Sequence, residues 1–137
     1  MIEDNDIILK QAARVLTPFI LIYGIYITFH GHLTPGGGFS GGTVIASSLI
    51  LNRISSGNRG SGPEIDRMMG IASIALVCYG LIKAMGTFFP DFTHRVLPRG
   101  IPGDLLSGGA ILPLNIAVGF VVACVMYIFF CLIGEEA

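Results

Sequence analysis

The stretch HGHLTPGGGFSGG, His30 to Gly42, holds six glycines, two histidines and a proline, and no lysine, arginine or acid. It separates two apolar segments. Whether it is a ligand loop or the start of a helix decides the fold.

A phosphate loop ends in G-K-[ST], with the lysine reaching the phosphates. No basic residue stands between Arg14 and Arg53. The G-x-G-x-x-G pattern occurs here only inside a glycine run, without a βαβ unit. Nucleotide binding is therefore disfavoured. A closed metal site wants about four ligands. His30 and His32 share a face only in an extended strand, and no cysteine or carboxylate is near in sequence. Histidines at a membrane interface are the plainer reading.

The helix-start reading fits better. Thr34 is an N-cap and Pro35 a first helical residue. Gly36, Gly37 and Gly38 form helix poorly, so the first turn is expected to be loose. Gly37 pairs with Gly41 at a spacing of four, and Gly38 with Gly42 and Ala46. This is the small-x-x-x-small pattern that lets membrane helices approach closely. Packing and the lining of an ion or water path both explain it. On the packing reading, Gly42→Leu is expected to do more harm than Ser48→Leu.

Composition agrees with a membrane setting. The 137 residues form a single domain, 53% apolar and only 12% charged. Soluble domains carry about 25% charged residues. The net charge of −1 argues against a nucleic-acid partner. Cys78, Cys124 and Cys131 lie in apolar runs and read as small buried hydrophobes. The acidic start MIEDND does not resemble a signal peptide.

The sequence predicts an all-α integral membrane protein with four spans, at about 9–29, 35–54, 68–89 and 110–133, and a cytoplasmic loop over 55–67. Asn5 or Asp6 caps the first, and Pro18 kinks it. In the second, Phe39–Leu51 is only thirteen residues; extension back to Pro35 gives seventeen. That is roughly 25 Å of helix, a full span with a loosely wound beginning. Four spans put both termini on one side, with Lys10, Arg14, Arg53, Arg59 and Arg67. The other side carries Lys83, Arg95 and Arg99. The excess places the termini in the cytoplasm.

PGGGFSGG at Pro35–Gly42 recurs as PGDLLSGG at Pro102–Gly109, 67 residues later. Pro102, Gly103, Gly108 and Gly109 match Pro35, Gly36, Gly41 and Gly42. This suggests two parallel two-helix repeats, although the rest of the halves aligns poorly. Asp104 replaces Gly37, and reads either as a helix-start aspartate or as a cation attractor. Lys83 lies inside the third span, where it either snorkels beside Phe88 and Phe89 or serves conduction. Asn115, in the fourth span, is expected to hydrogen-bond a neighbouring helix. His30, His32, Lys83, Asp104 and Asn115 are thus the ion-path candidates. Thr34, Pro35, Gly36, Gly37, Gly38, Phe39, Gly41, Gly42, Ala46 and the second motif form the packing set. No catalytic residue, metal site or cofactor is predicted. The apolar segments hold no aspartate or glutamate, so the chain looks incomplete as a transporter on its own.

FHGHLTPGGGFSGG, followed by TVIASSLIL, resembles the signature of the MnhB family, the B-type component of Mrp-type multisubunit sodium/proton antiporters. The resemblance covers most of the chain. It implies a small non-enzymatic subunit in a bacterial or archaeal cytoplasmic membrane, with the bilayer, larger integral subunits, sodium ions and protons as partners. The segment PGDLLSGGAILPLNIAVG, Pro102–Gly119, equally resembles the equivalent component in sodium-translocating modules of membrane-bound hydrogenases and related respiratory complexes. An autonomous four-span homo-oligomeric channel or carrier is the further alternative.

Overall fold

A computed structural model describes residues 2–31, 36–56, 63–88 and 111–136. These form four helices: α1 Ile2–His30, α2 Gly37–Ser55, α3 Ile65–Phe88 and α4 Ile111–Glu136. Three of them, α1, α3 and α4, contain 24-residue stretches long and apolar enough to cross a membrane. The shorter α2 is more polar, with five Ser/Thr residues, Asn52 and Arg53 among its last sixteen.

Several boundaries differ from expectation. Asn5 and Asp6 lie inside α1, which starts at Ile2, so neither is its cap. The helix runs on through Pro18. The α2 helix starts at Gly37, with Gly36 in the N-cap position and no side-chain cap. It therefore begins later than the Thr34–Pro35 signal predicts. Gly37 has φ +74°, a left-handed value that glycine adopts at little cost.

The packing register gives each helix a direction. Gly31 lies against Gly37, and Gly24 against Gly41 and Ile45, so α1 and α2 are antiparallel. Gly38 lies against Asn115 and Gly42 against Gly119 and Val122, so α2 and α4 run in parallel. Met68 packs with Tyr127, near the start of α3 and the end of α4, while Ile82 and Pro113 share a groove; this pair is antiparallel. Lys10, Arg14, Arg53 and Arg67 consequently gather at one end of the bundle.

That end is held by a buried cluster of Met68, Cys124, Tyr127 and Cys131, against which Leu49, Ile50 and Ile65 pack. Cys78 departs from expectation: it is exposed, and it lines the groove between α3 and α4. The hydroxyls of α2 are returned to their own helix. Thr43 donates to the Ser40 carbonyl at 2.8 Å, Ser47 to Thr43 at 2.7 Å and Ser48 to Ile45 at 2.9 Å. These bonds lower the cost of placing polar side chains away from water.

Candidate functional site: a glycine junction of three helices

The two glycine ladders of α2 serve different neighbours. Residues one apart on a helix point about 100° apart, so Gly37/Gly41 and Gly38/Gly42 form adjacent faces. The first face meets α1, and its first residue, Gly37, also lies against Asn115 of α4. A β-carbon on Gly41 would clash with Thr28 Oγ1 and lie 2.9 Å from the Gly24 carbonyl oxygen. On Gly24 it would lie 2.7 Å from Ile45 Cγ1. The second face meets α4. A β-carbon on Gly38 would overlap the Asn115 carbonyl oxygen; on Gly42 it would lie 2.6 Å from that of Gly119. Ala46, at the next step of this ladder, is 1% exposed. Phe39 points away from the ladders and is exposed.

Thr28 joins the three helices. Its hydroxyl donates to the Gly24 carbonyl at 2.9 Å. Its methyl carbon would sit 3.1 Å from a β-carbon on Gly119. Backbones this close maximise dispersion contacts without a large side chain at the crossing.

Asn115 occupies the upper edge of the junction. A β-carbon on Gly31 would lie 2.9 Å from its Nδ2, and one on Gly37 3.4 Å from its Oδ1. The carboxamide is half-buried and makes no hydrogen bond with a described residue. The expected interhelical hydrogen bond is thus replaced by packing against glycine backbone. Two amide protons and an acceptor oxygen remain for a small polar occupant.

The other candidates are not brought here. His30 Nδ1 is 3.1 Å from the Tyr26 carbonyl oxygen, and its ring centroid is 3.9 Å from that of Tyr26. Lys83 is exposed on α3, which touches neither α1 nor α2, and its ammonium has no partner among the described residues. His32, Thr34, Pro35, Pro102, Gly103, Asp104, Gly108 and Gly109 lie outside the described residues. Among the described residues no cluster of three His, Cys, Asp or Glu side chains forms.

Gly24, Thr28 and Gly119 escape a reading centred on the glycine run. Their signals are present: Gly24-x-x-x-Thr28 and Asn115-x-x-x-Gly119-x-x-x-Ala123 are small-residue ladders like that of α2. Tyr127 escapes it too. This side chain is fully buried, accepts from Arg53 Nη1 at 3.0 Å and donates to the Pro63 carbonyl at 3.3 Å.

Comparison with known proteins bears on this arrangement. The chain is 34% identical over 88 residues to the B-type component of the Na(+)/H(+) antiporter of Alkalihalophilus pseudofirmus. The match covers 64% of this chain and 58% of that relative's length. It is 41% identical over 49 residues to the putative antiporter protein mnhB2 of Staphylococcus epidermidis, covering 36% of this chain and 35% of the relative. The mnhB2 protein of Staphylococcus aureus is 39% identical over 49 residues, with the same coverage. The chain thus matches little more than half the length of the first relative and about a third of the other two. The profile described as "Domain related to MnhB subunit of Na+/H+ antiporter" matches residues 8–128, a stretch containing every residue of the glycine junction. With that match over most of its length, the chain belongs to the MnhB family.

Proposed function

We infer that this chain is a non-catalytic integral subunit of a multisubunit cation/proton antiporter. It crosses the membrane four times as a single membrane domain and lines or seals part of a sodium/proton path. Its partners on this reading are larger integral subunits, the bilayer, sodium ions and protons.

One observation carries the need for partners. Among the described helices α3 touches only α4, only 6% of its most apolar stretch is buried, and it turns Lys83 outward. An ammonium costs at least about 2.5 kcal/mol near the bilayer centre, so a polar neighbour or the interface must receive it. The junction supports the second half of the reading, because the half-buried Asn115 amide makes no hydrogen bond with a described residue and keeps its polar groups for water or an ion.

Length and surroundings support four spans. The 19 residues of α2 extend about 28 Å, close to the ~30 Å hydrocarbon core. Its polar residues are tolerable because α1 and α4 flank it. The parallel course of α2 and α4 suits two parallel repeats. The end bearing Lys10, Arg14, Arg53 and Arg67 is assigned to the cytoplasm.

Purification in mild detergent tests the reading. Large antiporter-like subunits are expected to co-purify with the tagged chain. Recovery of a homo-oligomer that transports cations unaided would replace it with an autonomous channel or carrier.

A further inference from the structure

A cavity of about 420 Å³ lies between α1 and the last turn of α2. Its walls are Lys10, Arg14, Thr17, Pro18, Asn52, Ser55 and Ser56. It lies at the end of the bundle opposite Asn115, so it is separate from the glycine junction.

Three features of the walls are unusual together. Neither Lys10 nor Arg14 has an ion-pair partner among the described residues. The Thr17 hydroxyl is buried without a hydrogen-bond partner, a costly state unless something polar satisfies it. Pro18 has no N–H, so the Arg14 carbonyl lacks its helical donor. By contrast the Ser55 and Ser56 hydroxyls both donate to the Asn52 carbonyl, at 3.1 and 2.8 Å. The donors left to an occupant are therefore the Lys10 ammonium, the Arg14 guanidinium and the Asn52 amide, with Thr17 beside them. Such a set matches an anion with several oxygens. The volume is far above the ~30 Å³ of one water and admits a phosphate group.

We propose that this cavity seats the phosphate of an anionic phospholipid headgroup at the membrane interface. The proposal rests on the membrane reading above. The apolar stretch of α1 begins at Ile7, which puts Lys10 in its first turn. Ile22 and Ile25, four and seven residues beyond Pro18 and so on the same side of α1, are exposed. They offer an apolar surface for acyl chains directly below the cations. A free phosphate would use the cations and leave this surface uncovered.

The full chain, purified in mild detergent and stripped of lipid, is titrated with dioleoylphosphatidylglycerol, dioleoylphosphatidylcholine or inorganic phosphate. Thermal unfolding is followed by circular dichroism, and bound lipid is counted by native mass spectrometry. Phosphatidylglycerol is expected to raise Tm at much lower concentration than phosphatidylcholine. Lys10→Gln with Arg14→Gln is expected to move the phosphatidylglycerol midpoint by on the order of tenfold or more, leaving phosphatidylcholine unchanged. If the double variant does not fold, Lys10→Gln alone, on an exposed position, reads the same midpoint. An unchanged midpoint overturns the proposal. So does an equal Tm shift from inorganic phosphate, which would make the ligand a soluble anion. Cross-linking of Lys10 to an acidic residue of another protein, in a complex that retains no phosphatidylglycerol, would likewise replace the lipid with a protein.

Discussion

Arg53 donates a 3.0 Å hydrogen bond to the phenol oxygen of Tyr127, and its guanidinium carbon lies 5.8 Å from the centre of the Tyr127 ring. One side chain thus fixes the last turn of α2 to the lower part of α4. The phenol also donates to Pro63, at the entry to α3. Three chain segments meet at a single buried hydroxyl.

Tyr127→Phe keeps the ring and removes that hydroxyl. The Pro63 carbonyl then loses this donor and Arg53 loses one of its acceptors. The expected loss is about 1–3 kcal/mol, measured by thermal unfolding in mild detergent. Wild-type stability in the variant would show that the ring's packing alone holds the three segments.

The junction predicts a sharp contrast along α2. Gly42→Leu forces a side chain into the Gly119 carbonyl and Val122 Cβ, and is expected to destabilise by about 1–3 kcal/mol or to block assembly. The proper control is Ser47→Leu, because Ser47 is exposed and Ser48, the control the sequence suggests, is 0% exposed. Ser47→Leu is expected to stay within about 0.5 kcal/mol of wild type. Similar behaviour of the two variants on native electrophoresis would leave Gly42 without a packing role.

The contrast between Ser47 and Ser48 marks where the sequence stops being legible. Helices α1, α3 and α4 follow from unbroken apolar length, because crossing a bilayer demands it. The glycine ladders announce close approach, because only small residues permit it. They do not say which helix approaches. That Gly41 meets α1 while Gly38 and Gly42 meet α4 depends on the crossing of three helices, which no local pattern encodes. The start of α2 is obscured for a related reason. Thr34–Pro35 is a sound local signal, yet Gly37 can take φ +74° and begin the helix later. Cys78 likewise reads as a buried hydrophobe, since an apolar run does not reveal which of its faces meets protein.

Topology is tested by single cysteines on a cysteine-free background. Ser56 ends α2 at the basic end of the bundle. Thr93 lies outside the described residues, beyond α3. Membrane-impermeant maleimide is expected to label them from opposite sides of sealed vesicles, with Ser56 on the cytoplasmic side. Labelling of Ser56 from the outer side, with Thr93 on the cytoplasmic side, would make α2 re-entrant and the span count three, and labelling of both from one side would mean that α3 does not cross.

Lys83 gives the last prediction. Its ammonium is exposed on a helix that this chain barely covers, and methionine would fit the same position without a charge. Two roles separate cleanly. A snorkelling lysine needs only the interface, and an apolar side chain of similar length serves nearly as well. A lysine that serves conduction needs its charge to face a watered path supplied in part by a neighbouring protein. Lys83→Met is expected to leave the complex assembled on native electrophoresis. Cation-coupled transport, followed by dye quenching in vesicles, is expected to fall. Lys83→Arg is expected to keep part of it, since it restores the charge with different geometry. Full transport in the methionine variant would remove Lys83 from the path and leave it as an anchor at the interface. Loss of assembly in that variant, with rescue by arginine, would instead place the charge in the contact between subunits.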